Sequence, residues 1–508
     1  MKMNKYMIYF RKIMGMLLLV TASFVVANAQ GRVTLQDQPN ATVNLDEPLD
    51  LEESIGIALR NNPQLKQAEL QVQSNGNIYE QSKWQRWPSL SFSASQGFSL
   101  GRNVDPFTNQ FVQQNIAFNN YQLGSSVVLF GGFQTQNTIK QNSLTLQASQ
   151  KDLAATRNDV MLNVALGYLQ VLSNQELIEV ARQQVEATRL QLERSQRLVQ
   201  AGSLAESALF DLRAQQANDE LSLVNAQNNL ESAQLSLKQV MNLPGNQEIR
   251  VEPMNVGDPS LRAYDATVQE IFETAIQNLP QMQAAKLRTA AAAQAVEVAR
   301  GARLPTLLLN GGVNTAYSSA APRERFVADG SGSRTMEVPS ASRFIMTNGI
   351  RVPVVDVVTI PNGAVRQFGY FDQLDFNRNA SFNFSLRVPI FTNYQTRYQI
   401  SNARIQQMNT EYQGQIVLLQ IRQNVEQAYI DMSNSAKRYV ATLNQVQAQA
   451  EAFRVAESRF GVGAINSAEY NIAKANLDRS RANLVQTKYD YVFRTKILDF
   501  YMNRPLTE

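Results

Sequence analysis

A long stretch of the chain has apolar residues at strict intervals of seven. Residues 133–201 contain no proline and only one glycine, and the residues at this interval are Val164, Val171, Ile178, Val185, Leu192 and Val199. A strict seven-residue repeat keeps one face of a helix against a nearly parallel neighbour. The pattern therefore predicts one helix of 69 residues. At 1.5 Å per residue it would be about 100 Å long.

The two halves of the chain repeat each other. Residues 58–64 (Ala-Leu-Arg-Asn-Asn-Pro-Gln) resemble residues 275–281 (Ala-Ile-Gln-Asn-Leu-Pro-Gln) at an offset of 217. Further along, Gly202 corresponds to Gly463 at an offset of 261, which indicates an insertion of 44 residues in the second half. A second long helix is therefore predicted over residues 392–460. An internal repeat of this kind is strong evidence for the architecture.

Alternation with a period of two predicts four strands, at about residues 89–100, 121–130, 306–313 and 380–391. Strands of about ten residues with one apolar and one polar face are typical of outer-membrane barrels, although a half-buried soluble sheet gives the same alternation. Four strands cannot close a barrel, and open edges are not tolerated in lipid. Further copies of the chain would have to supply the remaining strands.

These elements divide the chain into a first repeat at residues 49–244, a connector at 245–266 and a second repeat at 267–508. Each repeat is predicted to hold a helix broken at a proline, a β-hairpin, the long helix and a helix that returns antiparallel to it. The insertion falls in the loop 314–379, where residues 352–358 predict a short extra strand. A passive surface loop is the favoured interpretation, and a lid or plug is the alternative.

The amino-terminal 29 residues have the pattern of a secretory signal peptide. Basic residues precede an apolar run over residues 13–26, and Ala27-Asn28-Ala29 forms a small-residue cleavage site. An uncleaved anchor is less favoured, because the run is shorter than the ~20 residues that a spanning helix needs. Residues 30–48 are interpreted as an N-terminal extension of the mature chain.

The composition excludes the commonest catalytic and metal-binding chemistry. The chain has no histidine and no cysteine, which removes imidazole bases, thiol nucleophiles and the usual zinc and iron–sulfur ligands. We therefore expect no enzymatic activity, no cofactor and no metal site. The net charge is only +4 and the basic residues are scattered, so no nucleic-acid partner is expected.

Taken together, these patterns resemble the TolC family of outer-membrane efflux proteins. The resemblance is carried by the double repeat, by residues 49–63 at its start, and by two glycine turns at residues 197–204 and 459–465. It implies a mainly α fold of two repeats, each with long antiparallel helices and β-hairpins. It further implies a homotrimer, in which a twelve-stranded β-barrel in the outer membrane continues into a periplasmic α-barrel roughly 100 Å long.

In that family the turns furthest from the membrane close the tunnel and dock onto a periplasmic adaptor. The resemblance implies docking contacts at the exposed turn residues, which are Ala201, Gly202, Ser203, Leu204, Gly461, Val462, Gly463, Ala464 and Ile465. It also implies a gate of carboxylates shortly after the turns. Asp211 and Glu469 are the candidates, although Ile472 stands where many members carry a second acid. An ordinary solvated Glu469 remains the alternative.

The leading functional hypothesis is a passive duct that exports small molecules, and a type I protein secretion duct is the alternative in the same class. A periplasmic coiled-coil scaffold is the alternative of another class, which would have no need for the alternating strands. The expected partners are two further copies of the chain, the adaptor, an inner-membrane pump of the RND or ABC type reached through the adaptor, and outer-membrane lipid.

Overall fold

A computed structural model describes residues 47–104, 111–113, 115–203, 205–253 and 264–505. The predicted signal peptide, nearly all of the predicted extension, residues 254–263 of the connector and the candidate tip residue Leu204 lie outside the described residues. Within these ranges the protein consists mainly of long antiparallel helices, with β-strands that follow and precede them in the chain.

The two halves have the same order of helices and main-sheet strands, except that the second half has one extra short helix before its last strand. The first half contains α1 (Leu51–Asn61), α2 (Pro63–Trp84), β1 (Ser89–Ser99), β2 (Arg102–Val104), β3 (Phe111–Gln113), β4 (Ile116–Gly131), α3 (Gln134–Gln200) and α4 (Ser207–Val240). The second half contains α5 (Val268–Asn278), α6 (Pro280–Gly301), β5 (Thr306–Ser318), β6 (Glu324–Thr347), β7 (Ile350–Gln367), α7 (Tyr370–Phe376), β8 (Asn379–Arg387), α8 (Gln395–Gly461) and α9 (Ser467–Tyr501).

The first helix of each half breaks at the predicted proline. Pro63 and Pro280 stand at the first position of α2 and α6, where the missing N–H costs nothing because it would have no partner. The preceding helices begin with capping boxes, from Asp50 to Glu53 in α1 and from Thr267 to Glu270 in α5.

The two long helices, α3 and α8, have 67 residues each. Both begin later than predicted, by one and three residues, because Phe133 (φ 62°) and Tyr394 (φ 66°) precede them in the left-handed conformation. A left-handed residue cannot belong to a right-handed helix. None of the described helices combines the length and the apolar content needed to cross a membrane.

The predicted seven-residue seams are confirmed as packing surfaces. Along α3 and α8, eight of the twelve seam residues are buried and four are half-buried. Val164 and Val171 lie in an apolar cluster with residues of α1 and α4, and Val425 and Met432 lie in a second cluster with residues of α5 and α9. The seam therefore holds helix to helix inside one chain.

The main sheet has four antiparallel strands in the order β1-β4-β5-β8. Two strands are longer than predicted, since β4 begins at Ile116 and β5 ends at Ser318, where Phe118 pairs with Ser318. The sequence predicts that these ends belong to the connecting loops, which are rich in asparagine, serine, glycine and arginine. Pairing of the two strands keeps the ends extended instead. Strand β8 ends earlier than predicted, at Arg387. Pro389 follows shortly after and has no N–H to donate to a ladder.

The inserted segment forms a long hairpin of β6 and β7. The predicted extra strand at residues 352–358 lies within β7, which is longer than expected because β6 pairs with it. Asn348 and Gly349, with φ of 53° and 79°, make the turn, and an Asn-Gly pair is the preferred sequence for a tight hairpin turn.

Candidate functional site

The two glycine turns have the same hydrogen-bonded geometry. At the end of α3, the Ser203 N–H donates to Leu198 O (2.9 Å) and the Gly202 N–H donates to Val199 O (2.9 Å). At the end of α8, the Ala464 N–H donates to Arg459 O (2.8 Å). This is the Schellman pattern, which requires a left-handed residue. Glycine fills that position in both turns, with φ of 72° at Gly202 and 73° at Gly463.

Most of the candidate docking residues are exposed. Ala201, Gly202 and Ser203 are exposed in the first turn, and Val462, Gly463 and Ala464 are exposed in the second. The side chain of Val462 is 79% exposed, whereas Gly461 and Ile465 are half-buried. A large apolar side chain that is held at a helix end with so little cover is a candidate contact for another protein.

The two turns are held together by an apolar cluster directly beneath them. Leu192 of α3, Leu212 of α4, Phe460 of α8 and Tyr470 of α9 are all buried in this cluster. The rings of Phe460 and Tyr470 stack with centroids 4.9 Å apart. Ile465, from the second turn, packs against the same cluster. The tips therefore form one four-helix unit.

The structure places the two candidate gate carboxylates on different helices, both exposed. Asp211 of α4 accepts a hydrogen bond from Ser467 Oγ at 2.5 Å, which links the two returning helices. Glu469 lies in the first turn of α9, where Asn466 accepts its backbone N–H (2.8 Å) and donates to its carboxylate (3.3 Å). Glu469 thus has a local role in capping α9.

A buried ionic cluster lies next to these residues. Lys474 of α9 is 3% exposed and donates from Nζ to Asp219 Oδ2 (2.9 Å) and Asp478 Oδ2 (2.6 Å). Asp219 belongs to α4 and also accepts from Thr188 Oγ1 of α3 (2.5 Å) and from Gln215 Nε2 (2.8 Å). Burial raises the pKa of Asp478, and the Lys474 ammonium lowers it by a smaller amount. Three helices from both halves therefore converge on one charge cluster.

This cluster was not predicted from the sequence, although a signal was present. Leu212, Asp219, Ala226 and Ala233 recur at sevens along α4, and Asp219 is the one charged residue in that apolar series. A carboxylate at a buried helix position requires a partner, but nothing local identifies Lys474, 255 residues away.

The second candidate surface is the main sheet, whose two faces differ in chemistry. On one face Phe92, Phe382 and Phe384 are 68%, 81% and 71% exposed. The register places Ser91, Gln122, Asn310 and Asn383 on the other face. Strands β1 and β8 each have one neighbour in this sheet, so both outer edges are unpaired among the described residues. Within the same ranges, no group of acidic residues could hold a metal ion.

The sequence matches the outer membrane efflux protein family over residues 54–243 and 366–503, which is more than half of the chain. The chain belongs to this family. Members are transport channels rather than enzymes. A curated relative of this efflux-family chain, outer membrane protein TolC of Vibrio cholerae, is 23% identical over 273 residues. That match spans 53% of the chain and 59% of the relative, less than two thirds of its length.

Solved outer-membrane channels have the same fold as this efflux-family chain. VceC of Vibrio cholerae superimposes with a TM-score of 0.66 at 15% identity, over 89% of this chain and 94% of VceC. The CmeC outer membrane channel of Campylobacter jejuni gives a TM-score of 0.65 at 16% identity, over 89% of this chain and 85% of CmeC. The predicted family and the mainly helical fold with β-hairpins are confirmed.

Proposed function

We propose that three copies of this chain form a passive duct that exports small molecules across the outer membrane from the periplasm. Each copy would contribute its two repeats, residues 49–244 and 267–508, joined by the connector. The observation that carries the proposal is a two-faced sheet whose outer edges have no partner in the described part of the chain, joined directly to helices about 100 Å long. Such helices are long enough to hold a docking tip far from the membrane.

The chemistry of the sheet favours a membrane environment on one side and water on the other. Large aromatic and aliphatic side chains cover one face, and serine, asparagine and glutamine cover the other. In a β-barrel an apolar outer face contacts lipid while a polar inner face lines a wet lumen. A soluble periplasmic scaffold would leave the apolar face in water, which argues against that alternative.

Unpaired edges support assembly from several copies. Backbone groups at an open edge have no hydrogen-bond partners in lipid, where each such group costs several kcal/mol. Pairing β1 of one copy with β8 of the next would satisfy both edges, and three copies would close twelve strands around a lumen. Two copies would reach only the eight strands of the smallest membrane barrels, whose interior is filled by side chains.

An exposed apolar stripe on α8 supports the same assembly. Ile405, Met408, Tyr412, Ile416 and Leu419 are spaced by three and four residues and are 50–64% exposed. This spacing places them on one face of the helix, as in a helix that packs against another. Leu70 and Ile78 on α2 are also exposed, at 49% and 47%. We propose that α2 of the neighbouring copy covers the α8 stripe.

The tips are proposed to dock onto a periplasmic adaptor through residues 201–204 and 461–465. The adaptor would connect the duct to an inner-membrane pump of the RND or ABC type, which would supply the energy. The support is the exposure of Val462 next to the buried apolar cluster that joins the four helices at the tip. Type I protein secretion would use the same surface, and no observation favours it over small-molecule export.

The gate is proposed to involve the buried cluster as well as Asp211 and Glu469. Opening the tip by moving α9 away from α3 and α4 would separate Lys474 from Asp219. It would also break the hydrogen bond between Ser467 and Asp211. Separating a buried charge pair is costly, so these contacts would hold the duct closed until an adaptor binds.

Val462→Asp tests the docking proposal. A carboxylate at this exposed apolar position should abolish dye export in a strain that depends on this chain, because a charge buried in a docked interface would have no partner. The matched control is Val455→Asp, since Val455 lies in α8 seven residues before Val462 and is 44% exposed. Normal export by Val462→Asp, with the trimer intact, would contradict tip docking.

A further inference from the structure

The short helix α7 is docked on the apolar face of the main sheet. Its Tyr370 hydroxyl lies 2.7 Å from the hydroxyl of Tyr121 in β4, and the side chain of Gln373 accepts the backbone N–H of Ser318 at 3.1 Å. Tyr121 pairs with Ala94 of β1, which is two residues from Phe92. Side chains two residues apart in a strand lie on the same face, so Tyr121 and Phe92 share a face of the sheet. The helix therefore lies on the side of the sheet proposed to face lipid, at the end away from the long helices.

The exposed side of α7 is aromatic. Phe371 is 81% exposed and Phe376 is 55% exposed. The guanidinium carbon of Arg325, at the base of the β6–β7 hairpin, lies 3.6 Å from the centre of the Phe376 ring. Aromatic rings next to basic side chains are typical of the boundary between the apolar and polar layers of a membrane.

Arg325 is also directly opposite a second arginine. It pairs with Arg366 across the hairpin, so both side chains lie on one face of the two strands. Like charges in directly opposite positions destabilise a sheet. Neither arginine has a salt bridge among the described residues.

Nearby acidic residues have other partners. Glu324 accepts from Gln367 Nε2 at 3.0 Å on the opposite face of the hairpin. Asp372 accepts the backbone N–H of Gly369 at 3.0 Å, and Asp375 lies 3.4 Å from Arg378. The Arg325–Arg366 pair therefore concentrates positive charge that no described carboxylate neutralises.

We propose that Arg325 and Arg366 bind the phosphate group of an anionic lipid in the outer leaflet, while Phe371 and Phe376 lie among its acyl chains. Two guanidinium groups match a phosphate through paired charge-assisted hydrogen bonds. The apolar face below α7 provides the path for the acyl chains. This inference rests on the proposed membrane position of the sheet.

The test is binding of dioleoyl phosphatidic acid to the purified full-length protein in neutral detergent, measured by native mass spectrometry. Arg325→Gln/Arg366→Gln should weaken binding about tenfold or more, because both charge-assisted contacts are lost. The matched control is Arg334→Gln on the same hairpin, where Arg334 faces Ile360. It should change binding by no more than about twofold.

A second readout separates binding from a purely structural role. Arg366→Gln alone should raise the melting temperature slightly, because it removes the like-charge repulsion, and should still weaken lipid binding. Equal binding of phosphatidic acid by all variants would overturn the inference, as would inorganic phosphate binding as tightly as the lipid. If the protein inserts into vesicles and conducts ions while the variants bind lipid normally, only the lipid site is wrong. A protein that never inserts overturns both the site and the duct.

Discussion

A single buried side chain connects two distant segments of the chain to a long helix. Tyr168, in the middle of α3, is 1% exposed, and its hydroxyl donates to Glu252 O (2.8 Å) and approaches Leu49 O (3.3 Å). Leu49 and Val251 form a parallel bridge at the same place. One phenol therefore holds the start of the first repeat and the connector against α3. Burial raises its pKa from its ordinary value of 10.0 to about 12.

Tyr168→Phe should lower the free energy of unfolding by about 1 kcal/mol, because the hydrogen bond from the buried phenol to Glu252 O is lost. The folded protein holds the phenolic proton more tightly than the unfolded chain. The stabilisation is therefore complete below pH 10 and is lost as the pH rises through about 12. The difference in melting temperature between wild type and variant should shrink over that interval. A difference that stays constant with pH would contradict this account.

Replacing Lys474 should lower the free energy of unfolding more than replacing any exposed charged residue. Lys474→Met leaves Asp219 buried without its cation and should destabilise the tip by about 3–5 kcal/mol. Lys474→Met/Asp219→Leu should recover part of that loss, since it removes the two most buried charges and leaves only Asp478 without its cation. In planar bilayers the single variant should leak more than wild type and the double variant less than the single. Equal conductance in all three proteins would show that this cluster does not contribute to the gate.

Among the elements, the turns depend on backbone conformation and not on packing. Among the described residues, no atom lies within 4 Å of a Cβ built at Gly202 or Gly463, so their packing does not require glycine there. The positive φ does, because a side chain in the left-handed region clashes with its own backbone. The two turns therefore have the same backbone conformation but expose different side chains.

Gly463→Ala should destabilise the protein by about 1 kcal/mol, since alanine must adopt the left-handed conformation. The matched control is Gly56→Ala in α1, where the nearest atom to the added Cβ is the end of the Arg60 side chain at 3.8 Å. There alanine favours the helix, and stability should rise by about 0.5–1 kcal/mol. Melting curves of the two variants measure the contrast. Equal shifts would show that backbone strain does not explain the glycine.

For the whole molecule, three features of a single chain are left without a partner among the described residues. The sheet has two open edges, the α8 stripe is exposed, and one face of the sheet is covered with exposed phenylalanines. Each of these features is costly in water, and the proposed trimer in a membrane would cover each of them.

Cysteine pairs across the two open edges should crosslink separate chains. The natural chain contains no cysteine, so every disulfide would come from the introduced residues. Ser91→Cys in β1, combined in turn with Ser381→Cys, Asn383→Cys or Ser385→Cys in β8, should give dimers and trimers on a non-reducing gel for at least one combination. Backbone pairing brings facing Cβ atoms to about 4.5–5.5 Å, which is close to disulfide distance.

The control for this experiment is a pair inside one chain. Ser89 faces Ser126 in the register of β1 and β4. Ser89→Cys/Ser126→Cys should therefore crosslink within the monomer and give no dimers or trimers on the gel. Only monomers from all the edge combinations would contradict closure by neighbouring copies.

The helices could be predicted because their signals are local or periodic. The seven-residue seam, the breaks at Pro63 and Pro280, and the turns at Gly202 and Gly463 all appear in short windows of sequence. The strand ends at Ile116 and Ser318 were missed because loop-like composition outweighs alternation until a partner strand is present. Asp211 and Glu469 were proposed from their spacing after the turns, and spacing does not report their contacts with Ser467 and Asn466.

The repeat and its periodicity were sufficient to predict two long helices, two hairpins and two exposed turns. Backbone geometry imposes these elements on any chain with this pattern. The pairing of Lys474 with Asp219, the docking of α7 on the sheet and the opposition of Arg325 to Arg366 became visible only in the folded chain. In each case residues far apart in sequence come into contact in the folded chain. Which residues make contact depends on how the helices and strands pack, and the local sequence around either residue does not contain that information.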